Sequence, residues 1–156
     1  GRGDTMLCNM VRAYDQLSDH MRNVIHGLDG LHSGMATFER SIAGKSDARP
    51  IDPSEIKPPR AHPIVRSPAG TKQKAIFVNP HFTVGIKGLD AEESDWVLEH
   101  LYKIATQPEN IYRHQWKTGD VLVWDNRRTM HYAVRDYTED MPRKLHRCTA
   151  SGEIPA

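Results

Sequence analysis

The residues with the most chemistry to offer lie near the C-terminus, in the stretch HYAVRDYTEDMPRKLHR, where His131 is followed by Arg143 and Arg147. Alternate residues of a β-strand share a face, so a strand here sets Arg143, Leu145 and Arg147 on one side and Lys144, His146 and Cys148 on the other. If Leu145 faces inward, both guanidinium groups face inward too. A buried, unpaired guanidinium is very costly, so each needs an anion. Its planar fork matches a carboxylate, sulfonate or sulfate with two parallel hydrogen bonds. Asp125 and Asp136 fall in turns and offer little internal pairing, so the natural partner is a small organic anion. An edge strand with two solvated arginines fits the same spacing, and spacing alone leaves both readings open.

Other chemistries find less support. The chain has nine histidines. None forms the His-Glu-x-x-His pattern of a zinc hydrolase, and none is followed at the second position by Asp or Glu. Cys8 and Cys148 have no metal or redox spacing, so a reducing cytoplasm is the default compartment, although two cysteines do not exclude a disulfide. No glycine-rich phosphate loop follows a strand, which argues against a doubly wound nucleotide fold. A net charge of +1 argues against a nucleic-acid partner. No apolar run approaches the ~20 residues of a membrane span, and no signal-peptide pattern opens the sequence. With 156 residues, 38% apolar and 26% charged, the composition is that of one ordinary globular domain.

The elements that must carry these residues can be read in outline. Asn9 caps a short helix bearing Met10, Val11, Tyr14 and Leu17, and Ser18 caps a second with Met21, Val24, Ile25 and Leu28 along one face. Gly27 and Gly30 end it, and LDGLHS reads as a short strand. Residues 34–60 hold four prolines, many charges and little periodicity, the composition of a loop, lid or disordered insertion. AHPIVRSP and KQKAIFVN form a hairpin signal around Pro68-Ala69-Gly70, and HFTVGIKGL continues as strand or loop. Asp90 and Glu93 have capping-box spacing for a helix whose buried stripe is Trp96, Val97, Leu98, Leu101 and Ile104, stopped by Pro108. NIYRHQW then reads as a strand, KTGD as a turn, VLVWDN as a buried strand, MHYAV as another and KLHRCTA as the last. This order predicts a mainly β fold with helices, an antiparallel barrel or double-sheet jelly roll.

The stretch WKTGDVLVWDNRRTMHYAVRDYTEDMPRKLHRCTASGEIP closely resembles the C-terminal signature of the taurine/2,4-dichlorophenoxyacetate dioxygenase family. The resemblance rests on WDNR, the HY that follows it and the arginine-rich segment ending in HR. GRGDT resembles the family's GGDT segment, and HPIVRSPAGTKQKAIFVNPHFTVGIKGL its middle. Nearly the whole chain is covered, with residues 34–60 matching least.

The resemblance implies a double-stranded β-helix, a jelly-roll variant, and a dioxygenase that uses Fe(II), 2-oxoglutarate and O2. It makes His131 the distal iron-binding histidine of a His-x-Asp/Glu…His triad. It makes Arg143 and Thr5 the residues that hold the far carboxylate of 2-oxoglutarate. Arg147 becomes the second arginine, near the cosubstrate and the substrate's anionic group, and Phe82 an aromatic residue of the substrate pocket. The implied substrate is a small organic anion such as taurine, another alkylsulfonate, an alkyl sulfate or an aryloxyalkanoate. Relatives are often homo-oligomers, which leaves that state open here. The family's His-x-Asp pair precedes GGDT, and no histidine of this chain replaces it. The expectation is therefore the C-terminal part of a longer oxygenase, inactive by itself. A non-catalytic jelly-roll module that binds a small organic anion is the alternative.

Overall fold

A computed structural model describes residues 2–35, 57–138, 141 and 143–152. The strands are β1 (Thr5–Asn9), β2 (Asp29–His32), β3 (Arg60–Pro63), β4 (Val65–Arg66), β5 (Ala75–Ile76), β6 (Thr83–Ile86), β7 (Ile111–His114) and β8 (Thr129–Ala133). The helices are α1 (Met10–Asp15), α2 (Asp19–Ile25) and α3 (Ala91–Ala105), with one 3-10 turn at Pro108–Asn110. The result is mainly β with few helices, as expected. None of the described helices is long and apolar enough to cross a membrane.

Two antiparallel sheets organise these strands, β7-β1-β8 and β3-β2-β6, together with the short β4-β5 pair. The centre of the first sheet is β1, the earliest strand of the chain, held between two strands from its far end. Its register sets Thr5 opposite both His114 and Ala133, and Leu7 opposite both Tyr112 and His131. Cross-strand partners point to the same face, and so do residues two apart. Thr5, Leu7, His114 and His131 therefore share one face of this sheet.

The helices form where the caps predict. The Asn9 side chain accepts from Arg12 N–H, the Ser18 hydroxyl from Met21 N–H, and Asp90 and Glu93 complete a reciprocal capping box at α3. The side of α3 that carries Val97, Leu98, Leu101 and Ala105 is buried, and α1 packs against both α3 and β5. Ile25, Ile64, Ile76, Ile86 and Leu101 are among the largest fully buried side chains of the core.

Four local expectations fail. VLVWDN is not a buried strand: it joins no ladder, and Val121 and Val123 are 86% and 85% exposed. Apolar alternation predicts a strand only where a neighbour pairs with it, and no described strand does. KLHRCTA is not a strand either, and Leu145 is 44% exposed. Strand parity therefore cannot be what aims Arg143 and Arg147. Trp96 leaves the α3 stripe, 62% exposed and stacked on His100, because Ser94 and Ala105 complete the buried side instead. Val24 of α2 is exposed while Ile25 is fully buried. The candidate lid over residues 34–60 lies for the most part outside the described residues.

The first sheet is tied at its end by an ionic cluster. Asp4 is 1% exposed, and Arg113 Nε donates to its Oδ2 at 2.7 Å. Arg113 also reaches Asp136 at 3.5 Å, Asp136 accepts from the Gly3 N–H, and Val134 N–H donates to the Asp4 carbonyl. Removing one partner of such a pair strands a buried charge. Arg113→Met is expected to lower stability by roughly 2–3 kcal/mol, discounted because the guanidinium is half exposed. Urea unfolding with an unchanged m-value would record it; a midpoint equal to wild type would refute it.

Candidate active site

Thr5 and Arg143 are brought together, although nothing in a strand does it. Arg143 crosses over Gly3, with Nε donating to the Gly3 carbonyl at 2.8 Å and an Nη 3.5 Å from Thr5 Oγ1. Its guanidinium lies over the Tyr137 ring at 5.7 Å. Gly3 makes the crossing possible. Its φ is +76°, and a Cβ there would stand 2.6 Å from Arg143 Cδ. Both the backbone angle and the close approach demand glycine. Thr5 itself is buried, and its Oγ1 also accepts from Trp116 Nε1 at 2.9 Å.

His131 stands on the same sheet face as Thr5. It is exposed along one side, and its ring leans on Trp124 with centroids 5.2 Å apart. Partial burial of the ring and the nearby Arg147 charge lower its pKa from the usual histidine value. Both favour the neutral imidazole, the form that can bind a metal. Arg147 is exposed, and its effect on His131 is its one described interaction at this site.

On another side of His131 opens a cavity of about 400 Å³. Met10, Ile76, Phe77, Phe82 and Met130 line its apolar wall, and His32, His62, Asn79 and Arg127 add polar groups. Phe82 and His131 thus meet at one cavity, whereas Thr5, Arg143 and Arg147 are outside its lining. A turn over Asn79–Phe82 sets Phe82, and its carbonyl accepts from Ser33 N–H at 2.8 Å.

Three parts of this region were not singled out as site residues in the sequence. His32 and His62 pack edge to face at 5.4 Å, and His32 also stacks on Phe77. Their positions are thirty residues apart, so spacing gives no signal. Trp116 ends the strand predicted over NIYRHQW, and nothing in its spacing marks it. Asp125 is a turn residue, as its position predicts, and it also organises the turn. It accepts from Arg127 N–H and Nε at 2.9 Å and from Arg128 Nε at 3.2 Å, and its carbonyl caps Thr129 just before β8 presents His131. WDNR is thus a built turn that delivers the histidine.

These features meet the comparisons with known proteins. The taurine catabolism dioxygenase TauD, TfdA family matches residues 1–149. The chain belongs to this family. It is 35% identical over 96% of its length to the alpha-ketoglutarate-dependent 2,4-dichlorophenoxyacetate dioxygenase of Burkholderia sp. (strain RASC), covering 49% of that protein. It is 34% identical over 98% of its length to the alpha-ketoglutarate-dependent sulfate ester dioxygenase of Pseudomonas putida, covering 52% of it. Among solved structures, AAD-2 in complex with Mn(II) and N-oxalylglycine superposes with a TM-score of 0.84 at 32% identity, over 99% of this chain and 59% of that one. The chain spans about half the length of the curated relatives it matches.

Two predictions follow from the site's geometry and charge. Gly3→Ala is expected to displace Arg143 and strain the backbone. It should lower the thermal unfolding midpoint; an unchanged midpoint would show that Arg143 does not need this crossing. The second concerns acid. Burial, reinforced by the electrostatic effect of His62, lowers the His32 pKa to about 4, so the folded state keeps it neutral where the unfolded chain protonates. The hydrogen bonds and charge of Arg127, assisted by the charge of Arg128, lower Asp125 to about 2. Both shifts favour the fold at higher pH. Stability should fall from about pH 6.5 to about 4 through His32, and again from about pH 4 to 2 through Asp125. His32→Phe should flatten the upper limb alone; an unchanged limb would place its origin elsewhere.

Proposed function

We propose that this chain is the cosubstrate-gripping part of an Fe(II)- and 2-oxoglutarate-dependent dioxygenase. The whole protein would hydroxylate a small anionic organic substrate such as taurine, an alkylsulfonate or an alkyl sulfate, and release succinate and CO2. The fold would be a double-stranded β-helix, to which the two described sheets contribute. The observation that carries the reading is the Arg143–Thr5 pair beneath Gly3, on the sheet face that also presents His131.

In this reading Arg143 and Thr5 hold the distal carboxylate of 2-oxoglutarate. A guanidinium supplies the charge and the fork, and a hydroxyl supplies one further hydrogen bond. Fixing that end turns the keto-acid end toward His131, so that reacting groups meet without a search. The cavity beyond His131 takes the organic part of the substrate against Phe82. The exposed Arg147 beside His131 supplies positive charge for an anionic group.

The iron needs more than this chain shows. His131 offers one imidazole donor, while a facial site needs three protein ligands. Among the described residues no group of three or more His, Cys, Asp or Glu side chains gathers to hold a metal. The remaining ligands would come from another part of the protein. Iron, once held, supplies the activation of O2; the residues here bind, orient and shield.

The experiment is succinate formation by the full-length protein with Fe(II), 2-oxoglutarate and ascorbate, across sulfonate, sulfate-ester and aryloxyalkanoate substrates. His131→Ala is expected to abolish turnover. Arg143→Ala should raise the 2-oxoglutarate requirement at least tenfold, the loss of a charge-assisted hydrogen bond of about 1.5–3 kcal/mol. No succinate with any substrate, combined with retained binding of organic anions, would favour the non-catalytic binding module. An unchanged 2-oxoglutarate requirement in Arg143→Ala would remove that residue from its assigned role.

A further inference from the structure

Thr5 has more donors pointing at it than a free hydroxyl needs. A threonine hydroxyl carries one hydrogen and two acceptor lone pairs. Trp116 Nε1 is a donor only, and it points at Oγ1 from 2.9 Å. The Arg143 Nη, also a donor only, reaches the same oxygen at 3.5 Å. Neither group can accept a proton. Both lone-pair directions of Oγ1 are thus addressed, and no acceptor among the described residues is in reach of its hydrogen.

Trp116 is itself held in place. The His114 ring stands edge-on to it, centroids 4.6 Å apart and planes at 86°. His114 Nε2 lies 3.1 Å from Asp120 Oδ2, and Nδ1 lies 3.3 Å from the Tyr112 hydroxyl. Asp120 in turn accepts from Lys117 N–H at 2.9 Å, closing the KTGD turn in which Gly119 has φ +92°. The turn after β7 thus sets Asp120 beside His114, and the His114 ring packs edge-on against the indole.

We propose that Trp116 is a positioning residue that sets the polarity of the Thr5 hydroxyl. By occupying a lone pair it leaves the hydroxyl hydrogen to be donated outward, to a carboxylate oxygen of the cosubstrate. Without the indole N–H, the hydroxyl can turn and present a lone pair to that carboxylate. The ligand class this arrangement selects is an oxyanion beside a guanidinium, and a neutral amide in that place lacks the charge Arg143 matches. The inference rests on the reading of Thr5 and Arg143 as cosubstrate residues.

The test is a double-mutant cycle in the full-length protein, reading 2-oxoglutarate affinity by calorimetry. Trp116→Phe keeps an aromatic ring against His114 and removes the N–H donor. It should weaken 2-oxoglutarate three- to tenfold, the range for one neutral hydrogen bond. Thr5→Val should weaken it at least as much, and the double variant should bind no more weakly than Thr5→Val alone. The KM for the anionic substrate should stay at the wild-type value in Trp116→Phe. Losses that multiply in the double variant would mean that Trp116 acts independently of Thr5, and would overturn the proposal. Unchanged affinity in Trp116→Phe with a loss in Thr5→Val would overturn it while leaving the cosubstrate site intact. Unchanged affinity in Thr5→Val would remove both. Should Trp116→Phe not fold, the wild-type protein decides. Adding 2-oxoglutarate must shift the Trp116 indole N–H resonance and leave that of the exposed Trp96 in place; a still Trp116 signal overturns the inference.

Discussion

The buried carboxylate of Asp4 and the guanidinium of Arg113 hold this structure to its shape. They join the segment before the first strand to β7, and through Asp136 to the end of β8. A carboxylate so enclosed cannot lose its partner cheaply, so the three strands are fixed in mutual register at that end. Everything read as chemistry follows from that register. Thr5 next to Asp4, His131 across from Leu7 and His114 across from Thr5 all share a face because β1 is central and its neighbours cannot slip by one residue.

Around that frame two turns do specific work. The DNR turn folds on Asp125, which gathers two arginines and caps the backbone leading into β8. The KTGD turn folds on Asp120, beside His114 and Trp116, whose rings pack edge to face. Each uses a carboxylate to order backbone N–H groups and a cation or ring together. The glycines have separate tasks. Gly119 provides a positive φ in its turn, and Gly3 provides both a positive φ and the space through which Arg143 passes.

The site is divided. On one side are Thr5, Arg143 and the ring of Tyr137, a hydroxyl and a guanidinium set against an aromatic face. On another is a mostly apolar cavity walled by Phe77, Phe82 and Met130. His131 touches the cavity and shares a sheet face with Thr5. Among the relatives, the substrates named range from 2,4-dichlorophenoxyacetate to sulfate esters.

The sequence by itself determined the caps of the three helices described, the strands that find a partner and the family; the roles of the site residues are what the resemblance implies. These are local signals: a side chain capping its own helix, a period of two, a motif of adjacent letters. It misjudged VLVWDN and KLHRCTA, because alternation reports only what a strand would bury, and whether a neighbour exists to pair with it is a property of the whole fold. Strand parity predicts that Arg143 and Arg147 share a face with Leu145, but this segment is no strand. The tertiary structure brings Arg143 to Thr5 by another route, across a glycine 140 residues away in sequence. Only the fold decided that His32 would meet His62, that Asp4 would be buried on Arg113, and that an indole would point at a threonine 111 residues distant. Such contacts depend on chain path rather than on spacing, and no local pattern encodes them.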